Sequence, residues 1–345
     1  MEERHENTLH NHARTADELA KRAAATSSAN EWNKVRKLAL RHLNRFISLE
    51  AKVLKGDDPD AIHDMRVASR RLQQVLDLIF PQPLPREVRR LRRKIRRCRR
   101  ALGDVRNCDV MLQYVEGRLA RRRSSDREAW AAVKQHLLER RSESFARAIR
   151  KLSKMNLAVF YMHTKEILGS LKATPETGHV SHPLVHPNGQ PFEPFPARLA
   201  QALVGVWSDF EKRVAASHQE ATPSSIHAAR ICAKRLRYLL EVINQFDIPG
   251  SSGALAWLRR LQQYLGDWHD MEVLEEMIIE MIAKPEFLRD QLPIALAAGK
   301  LILRNRVTKQ GFREKYFQMT LASVDYQEIG NWVQGFLAAA GSAKA

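Results

Sequence analysis

A stretch of eleven residues occurs twice in this chain with the same pattern of basic residues. Residues 62–72 read IHDMRVASRRL, and residues 226–236 read IHAARICAKRL. Each copy has a histidine, a basic residue three positions later and a basic pair near its end. An oxygen-bearing residue followed by proline precedes each copy, Asp58 in one and Thr222 in the other. Because this order is typical of an N-cap and the first helical position, both copies are predicted to begin a helix at the same point.

On a helical wheel, both copies place their basic side chains on one narrow arc and their apolar side chains on the opposite side. The residues on or beside this arc are His63, Arg66, Arg70 and Arg71 in the first copy and His227, Arg230, Lys234, Arg235 and Arg237 in the second, with Arg71 and Arg235 on the flanks. A solvated helix face normally mixes acids with bases, because like charges at i,i+4 weaken a helix. The stacked cations therefore predict an anionic ligand that relieves their repulsion.

The composition of the whole chain agrees with such a ligand. A formal net charge of +18 and a pI near 10.1 indicate a polyanionic partner, which could be nucleic acid, an anionic membrane surface or polyphosphate. With 345 residues and 44% hydrophobic content, the chain should be globular. Cys98, Cys108 and Cys232 form no C-x-x-C pair, which favours core positions and a reduced, cytosolic setting. The sequence predicts no signal peptide and no membrane span.

The most basic segment, residues 86–102, is predicted to be a packed helix with a cationic face. It carries ten Lys or Arg residues against the single acid Glu87. Its apolar residues recur at helical spacing and form one stripe, namely Val88, Leu91, Ile95, Cys98 and Leu102. Arg93 and Arg97 point away from that stripe on the wheel, so they are further candidate ligands for the anion.

A Leu-Gly-Asp element is also repeated, at residues 102–104 and 265–267. Glycine is typical of a helix C-terminus and an acid of the next N-terminus, so separate helices are predicted at 253–265 and 270–283. Two later helices are predicted at 287–309 and 311–322. The acids Asp104 and Asp109 are interpreted as caps and arginine partners rather than as magnesium ligands.

Helical periodicity without strand alternation predicts an all-α fold of two helical bundles related by duplication, with a few accessory helices. The predicted units are a polar extension at 1–30, a first repeat at 31–172, a Pro-rich linker at 173–196 and a second repeat at 197–345. Histidines in the extension and the linker are interpreted as solvated, and no metal or cofactor is predicted.

Two other functions fit parts of the pattern. The spacing of His63 and Arg66 is that of a histidine phosphotransfer bundle, although a phosphorelay would not need a face of many arginines. Charge-driven nucleic-acid binding also stays open, although an aromatic content of 7% supplies few platforms for stacking bases.

The paired H-x-x-R-[VI]-x-x-[RK]-R-L helices, each followed by a Leu-Gly-Asp element, resemble the CHAD domain, the conserved histidine α-helical domain. The resemblance covers the chain from about Glu31 to Met319. It implies two four-helix bundles with pseudo-twofold symmetry, whose basic faces converge on a groove or pore that binds inorganic polyphosphate. It also implies a cytoplasmic protein at polyphosphate granules, with polyphosphate-metabolising enzymes as partners and nucleic acid only as a competing polyanion.

The family pattern falls on nine residues of the two arcs, from His63 to Arg71 and from His227 to Arg237. The chain departs from it at Asn107, where an acid is usual, and the two copies differ where His269 stands opposite Arg106. The E-x-E-x-K strand of a fused triphosphatase does not occur in the sequence, so we expect binding without hydrolysis. The histidines are expected to donate to phosphoryl oxygens or orient the arginines, or else to lie half-buried at a bundle seam.

Overall fold

The computed structural model describes residues 30–80, 83–121, 126–170, 194–321 and 323–342, and these are almost entirely helical. No strand occurs within those ranges, which confirms the all-α prediction. The first helix, α1, spans residues 30–48. The later helices are α2 Glu50–Lys55, α3 Pro59–Ile79, α4 Arg86–Ala101, α5 Gly103–Leu119, α6 Arg127–Leu152, α7 Leu157–Gly169, α8 Phe195–Gln219, α9 Pro223–Ile243, α10 Ser251–Ile282, α11 Pro285–Asp290, α12 Leu292–Gln318 and α13 Val324–Ser342, with a 3₁₀ turn at Asn244–Phe246.

The two copies of the repeated motif begin their helices, α3 and α9, in the same way. The Asp58 carboxylate accepts a hydrogen bond from the backbone N–H of Ala61 at 2.9 Å. The Thr222 hydroxyl accepts one from the backbone N–H of Ser225 at 3.2 Å. Both helices have proline in their first turn and are 21 residues long. The predicted common start is therefore confirmed, and it sets the same register for the basic side chains of α3 and α9.

Two apolar cores hold the helices together, and each contains residues from both predicted repeats. The larger core joins α1, α3, α4 and α7 to α8, α9, α13 and the first half of α10. The smaller core joins α5 and α6 to α12 and the second half of α10. Helix α10, with 32 residues, runs through both cores. In the larger core α3 packs directly against α9. The division at 31–172 and 197–345 stays a prediction.

Helix α4 packs as its sequence predicts. Its apolar stripe is buried, with Val88, Leu91, Ile95 and Cys98 each at most 4% exposed. Most of its arginines lie on the exposed side. All three cysteines are free and buried, in agreement with the core positions that were predicted for them.

The chain continues as helix across two positions at which the sequence predicted a break, one at Gly266 and one just before Gly311. Gly266 lies inside α10 and Gly311 inside α12, so those two predicted boundaries were wrong. The matching Gly103 does stand at a boundary, because α5 begins there and only Leu102 separates it from the end of α4. A glycine costs a helix interior only about 1 kcal/mol relative to alanine. The burial of Leu265 and Trp268 on either side of Gly266 offsets that cost.

Replacing Gly266 by alanine is expected to raise the free energy of unfolding by about 0.5 to 1 kcal/mol, because alanine is the better helix former. Outside its own helix, no described atom lies within 4 Å of the added Cβ. Urea denaturation would measure the change. The control is Gly250→Ala, where φ is +82° and the new Cβ would meet Trp332 at 2.6 Å, so it should destabilise. A loss of stability in both variants would contradict the continuous packing of α10.

Candidate anion-binding site

The basic rows of α3 and α9 face each other across the contact between the two helices. Arg70 on α3 lies close enough to lower the pKa of both Arg230 and Lys234 on α9, in addition to the effect of burial. Arg66 on α3 also lowers the pKa of Lys234. Like charges that act on one another in this way must share one region of the molecule. The two predicted rows therefore converge instead of lying on separate outer surfaces.

Two arginines that the sequence analysis did not include extend this region. Burial is the main reason that the pKa of Arg66 falls to about 10, and after Arg70 the charges of Arg99, at the end of α4, and Arg106, in α5, lower it further. Arg66 donates a hydrogen bond to the backbone carbonyl of Arg99 at 2.5 Å. Arg99 in turn donates to the side-chain oxygen of Gln73 at 3.0 Å. We call the whole set the cationic cluster: Arg66, Arg70, Arg99, Arg106, Arg230, Lys234 and Arg237.

The sequence did contain a signal for the missed arginines. Arg106 stands opposite His269 when the two Leu-Gly-Asp elements are aligned, and the structure places both side chains at the site. Arg99 borders the apolar stripe of α4, so it lies between the core and the solvent-exposed arginines. A basic residue at that edge of a helix is directed along the helix contact rather than straight into water.

The cluster contains far more positive than negative charge. Asp270 is an acid at the site; burial raises its pKa, and Arg230, Lys234 and Arg106 oppose that rise. Lys234 makes no ion pair with any described residue. The Nε of Arg230 is buried and has no hydrogen-bond partner in the described part of the chain. Buried donors are normally paired, so these groups indicate room for an anion that the protein itself does not supply.

Lys234 is the most strongly perturbed base of the cluster. Burial is the main reason that its pKa falls, to about 6. The charged groups that lower it further are all arginines, namely Arg230, Arg70, Arg237 and Arg66. In the free protein at pH 7, Lys234 is therefore mostly uncharged. An anion placed among these groups would favour its protonated form.

The histidines at the site are uncharged at neutral pH. Burial lowers the pKa of His63 and of His227, and the nearby Arg106 and Arg230 respectively lower them further. The pKa of His269 falls to about 3 for the same two kinds of reason. The rings of His227 and His269 lie 5.3 Å apart, centroid to centroid. Each neutral ring can still donate one N–H to an anion.

Arg71 and Arg237 share one carboxylate at the edge of the cluster. The Nε of Arg71 on α3 donates to Glu241 on α9 at 2.8 Å. The Nε of Arg237 lies 3.6 Å from the other oxygen of the same carboxylate. The side chain of Glu241 is only 18% exposed, so this bridge links α3 to α9 at a partly buried position where solvent screens the ion pair less than at the surface.

His63, His227 and Arg71 border the cationic cluster without belonging to it, whereas three other predicted site residues lie away from it. Arg235 is exposed and pairs with Asp209 on α8 at 3.1 Å. Arg93 and Arg97 are exposed on α4 and make no hydrogen bond or ion pair with residues that the structure describes. The identification of these three residues as anion ligands stays a prediction.

The structure also bears on the predictions about metal ligands and membrane spans. Across the described ranges, no three His, Cys, Asp or Glu side chains come together as a metal site would require. Asp109 is paired with Arg141 at 2.6 Å, as its interpretation as an arginine partner predicted. The linker histidines His179, His182 and His186 lie outside the described residues. None of the described helices is both long enough and apolar enough to cross a bilayer.

Comparison with known proteins places this geometry in context. The sequence model of the CHAD domain matches residues 37–278, which include both motif copies and the whole cationic cluster. The crystal structure of the CHAD domain from the plant Ricinus communis is similar, with a TM-score of 0.58 and 20% identity over 82% of this chain and 90% of that chain. PptA from Streptomyces chartreusis is similar with a TM-score of 0.57 and 13% identity over 84% and 98%. At such identities the structures show a likeness of fold alone. No match was found among curated proteins.

Proposed function

The chain belongs to the CHAD domain family, and on that premise we propose that it binds inorganic polyphosphate in the cationic cluster without catalysing a reaction on it. The observation that carries the proposal is the convergence of the α3 and α9 rows with few acids between them. A linear polyphosphate has closely spaced charges and no bases, whereas one helix face presents a cation only about every 5 to 6 Å. Two facing rows come closer to the charge density of that ligand.

The chemistry of the cluster suits phosphoryl oxygens. A guanidinium has a planar set of donors that can hold two oxygens at once. Every member of the cluster except Lys234 is an arginine. Partial burial strengthens each of these contacts, because the local dielectric is lower than that of water. Lys234 would add a point charge, and the neutral His63 and His227 would add hydrogen-bond donors.

The expected setting follows from the ligand. Polyphosphate is stored in granules, so the protein is expected in the cytoplasm at such granules, beside the enzymes that make or consume the polymer. The free, buried Cys98, Cys108 and Cys232 fit a reducing compartment.

Polyphosphate binding is expected to strengthen as the pH falls from about 9 to about 6, by up to about tenfold per pH unit. The reason is that Lys234 has a pKa of about 6 in the free protein, and a bound anion would raise that pKa towards its ordinary value of 10.5. Between those values, binding takes up a proton. Asp270 lies near Lys234, but the charged groups that shift the pKa of Lys234 are all arginines.

Calorimetric titration at pH 8 in buffers with different ionisation enthalpies would count the protons taken up. About one proton is expected for the wild-type chain, and clearly less for Lys234→Met. An affinity that is constant from pH 6 to pH 9 would exclude this coupling.

The function itself is tested by titrating the full chain with polyphosphates of defined length, in competition with duplex DNA at equal phosphate concentration. We expect DNA to compete poorly, and we expect the affinity for polyphosphate to fall steeply with salt as counterions are released. Effective displacement by DNA would instead indicate charge-driven nucleic-acid binding. Acid-labile labelling of His63 or His227 by a phosphodonor would indicate phosphotransfer.

A further inference from the structure

A second basic site lies beside the cationic cluster. A cleft of about 520 Å³, which we call the side cleft, opens between α1, α3, α9 and α10. The titratable residues that line it are Arg41, His42, Arg45, Arg71, Tyr238, Glu241 and Arg259. Its volume lies within the range of about 300 to 1,000 Å³ that is typical of small-molecule sites.

The cleft has arginines that the protein does not neutralise. Arg41 and Arg259 are exposed, and neither makes an ion pair with a described residue. Arg45 is bound to Asp64 at 2.5 Å, and that acid does not line the cleft. Four arginines therefore surround a cleft whose lining contains the single acid Glu241. A field of this kind concentrates anions in the cleft.

The histidine of the cleft adds a donor without adding charge. Burial lowers the pKa of His42 to about 4, and Arg71 and Arg41 lower it further while Glu241 opposes them. At neutral pH the ring is therefore uncharged and can donate one N–H inward. Arginines at the mouth with a neutral donor deeper inside form a site for an anion that carries several oxygens.

A wall separates the side cleft from the cationic cluster. Glu241 pairs with Arg71 in the cleft at 2.8 Å and lies 3.6 Å from Arg237 in the cluster. Tyr238 lines the cleft, and the guanidinium of Arg237 lies 4.9 Å from the centre of its ring. The two arginines neutralise this carboxylate, so the separation rests on the bridge and the Tyr238 ring, which a polymer would have to displace to run from one site into the other. The cleft therefore suits a compact anion, or the end of a chain, better than a continuous thread.

We propose that the side cleft is a second phosphate site that binds a short condensed phosphate separately from the cationic cluster. The ligand is either a free molecule such as tripolyphosphate or the terminal units of a longer chain, which present the same oxygens. The class of ligand rests on the proposed function, whereas the separation of the two sites rests on Glu241 and Tyr238.

The test is the number of tripolyphosphate molecules that bind to one full-length chain, measured by calorimetric titration. Two are expected for the wild-type chain. The double variant Arg41→Ala, Arg259→Ala should lose one of them, with about tenfold or more loss of affinity from each missing charged contact. The matched control is Arg127→Ala, Arg150→Ala, which removes the same charge from exposed positions on α6. One molecule bound to the wild type, or equal losses in the two double variants, would overturn the proposal.

A cluster variant separates this proposal from the proposed function. Reversing Arg66 and Arg230 to glutamate should remove the other tripolyphosphate and leave the one in the side cleft. If that variant binds long polyphosphate like the wild type while the Arg41, Arg259 variant still loses one tripolyphosphate, the side cleft stands and the proposed function fails.

Addition of long polyphosphate to the chain with tripolyphosphate bound identifies the natural ligand of the side cleft. A chain end would displace both tripolyphosphates, whereas a site for free short phosphates would keep one.

Discussion

Reversing the charge at both Arg66 and Arg230 to glutamate is expected to lower the affinity for long-chain polyphosphate about a thousandfold or more. Removing one partner from a desolvated, charge-assisted contact typically costs about 2 kcal/mol or more. Two such losses correspond to about a factor of 1,000. The reversed charges also repel the ligand, because both positions lie within the cationic cluster. Fluorescence anisotropy with end-labelled polyphosphate at fixed salt would measure the change.

Folding of the double variant has to be checked before its binding is compared, because a carboxylate at position 230 would lie near Asp270. A carboxylate at position 66 would lie among Arg70, Arg99 and Arg106, where it replaces repulsion by attraction. Circular dichroism and thermal unfolding would check this point. A variant that unfolds would be replaced by Arg66→Gln, Arg230→Gln, for which a smaller loss of binding is expected.

The matched control is Arg127→Glu, Arg150→Glu, which makes the same change in net charge at exposed positions on α6. Surface charges act at longer range and are screened by salt, so a loss of less than about tenfold is expected at physiological ionic strength. Equal losses in the two double variants would mean that the overall charge of the chain, and not the convergence of α3 and α9, drives binding. The variant Arg93→Glu, Arg97→Glu, compared with the same control, tests the predicted role of those two residues.

Local patterns predicted the parts of the fold that local forces determine. The helix starts at Asp58 and Thr222 followed from a capping side chain and a proline. The packing of α4 followed from apolar residues at helical spacing, despite its many arginines. The repeat predicted an anionic ligand for each basic row, whereas the facing of α3 and α9 was expected from the resemblance to the CHAD domain.

The features that the sequence did not predict depend on tertiary packing. A glycine interrupts a helix only if nothing compensates for it, and the burial of Leu265 and Trp268 keeps α10 continuous at Gly266. The path of α10 through both cores then decides which helices meet, and no local pattern encodes that path. Arg235 flanks the basic arc on the helical wheel, but in the structure it forms an ion pair with Asp209 of the neighbouring α8 and lies outside the cluster.

Unrelieved charge in the free protein has a consequence for folding. The cores place Lys234 among arginines that belong to both α3 and α9, although each cation there weakens the others. A site of this kind lowers the stability of the free protein in return for strong binding of an anion. The loss of stability should therefore be measurable by replacing Lys234, the basic side chain whose protonation the site disfavours most.

Replacing Lys234 by methionine is expected to raise the free energy of unfolding of the ligand-free protein by roughly 2 to 4 kcal/mol at pH 6. Burial and four arginines lower the pKa of Lys234 from 10.5 to about 6. A shift of that size sets an upper bound of roughly 6 kcal/mol, at about 1.4 kcal/mol per pH unit, and local relaxation reduces the observed effect. Methionine keeps the length of the side chain without the charge.

The pH dependence of this stabilisation identifies its cause. Between pH 6 and 10.5 the unfolded chain holds the Lys234 proton and the folded chain does not, so the stability of the wild type rises with pH across that window. The variant lacks this contribution, and its advantage should be largest at pH 6 and disappear towards pH 10.5. Urea denaturation of both proteins at several pH values measures the difference. The control Lys300→Met, at an exposed position on α12, should change stability by less than about 0.5 kcal/mol.

Polyphosphate should reverse the order of stability of the two proteins. Ligand that binds only the folded state stabilises it in proportion to its affinity, and the wild type binds more tightly because Lys234 becomes charged beside the anion. The melting temperature of the wild type should therefore rise more than that of Lys234→Met on addition of long-chain polyphosphate. A variant that is less stable than the wild type without ligand at pH 6 would show that Lys234 makes a favourable contact in the free protein. In that case the cationic cluster would not be a site built for an external anion.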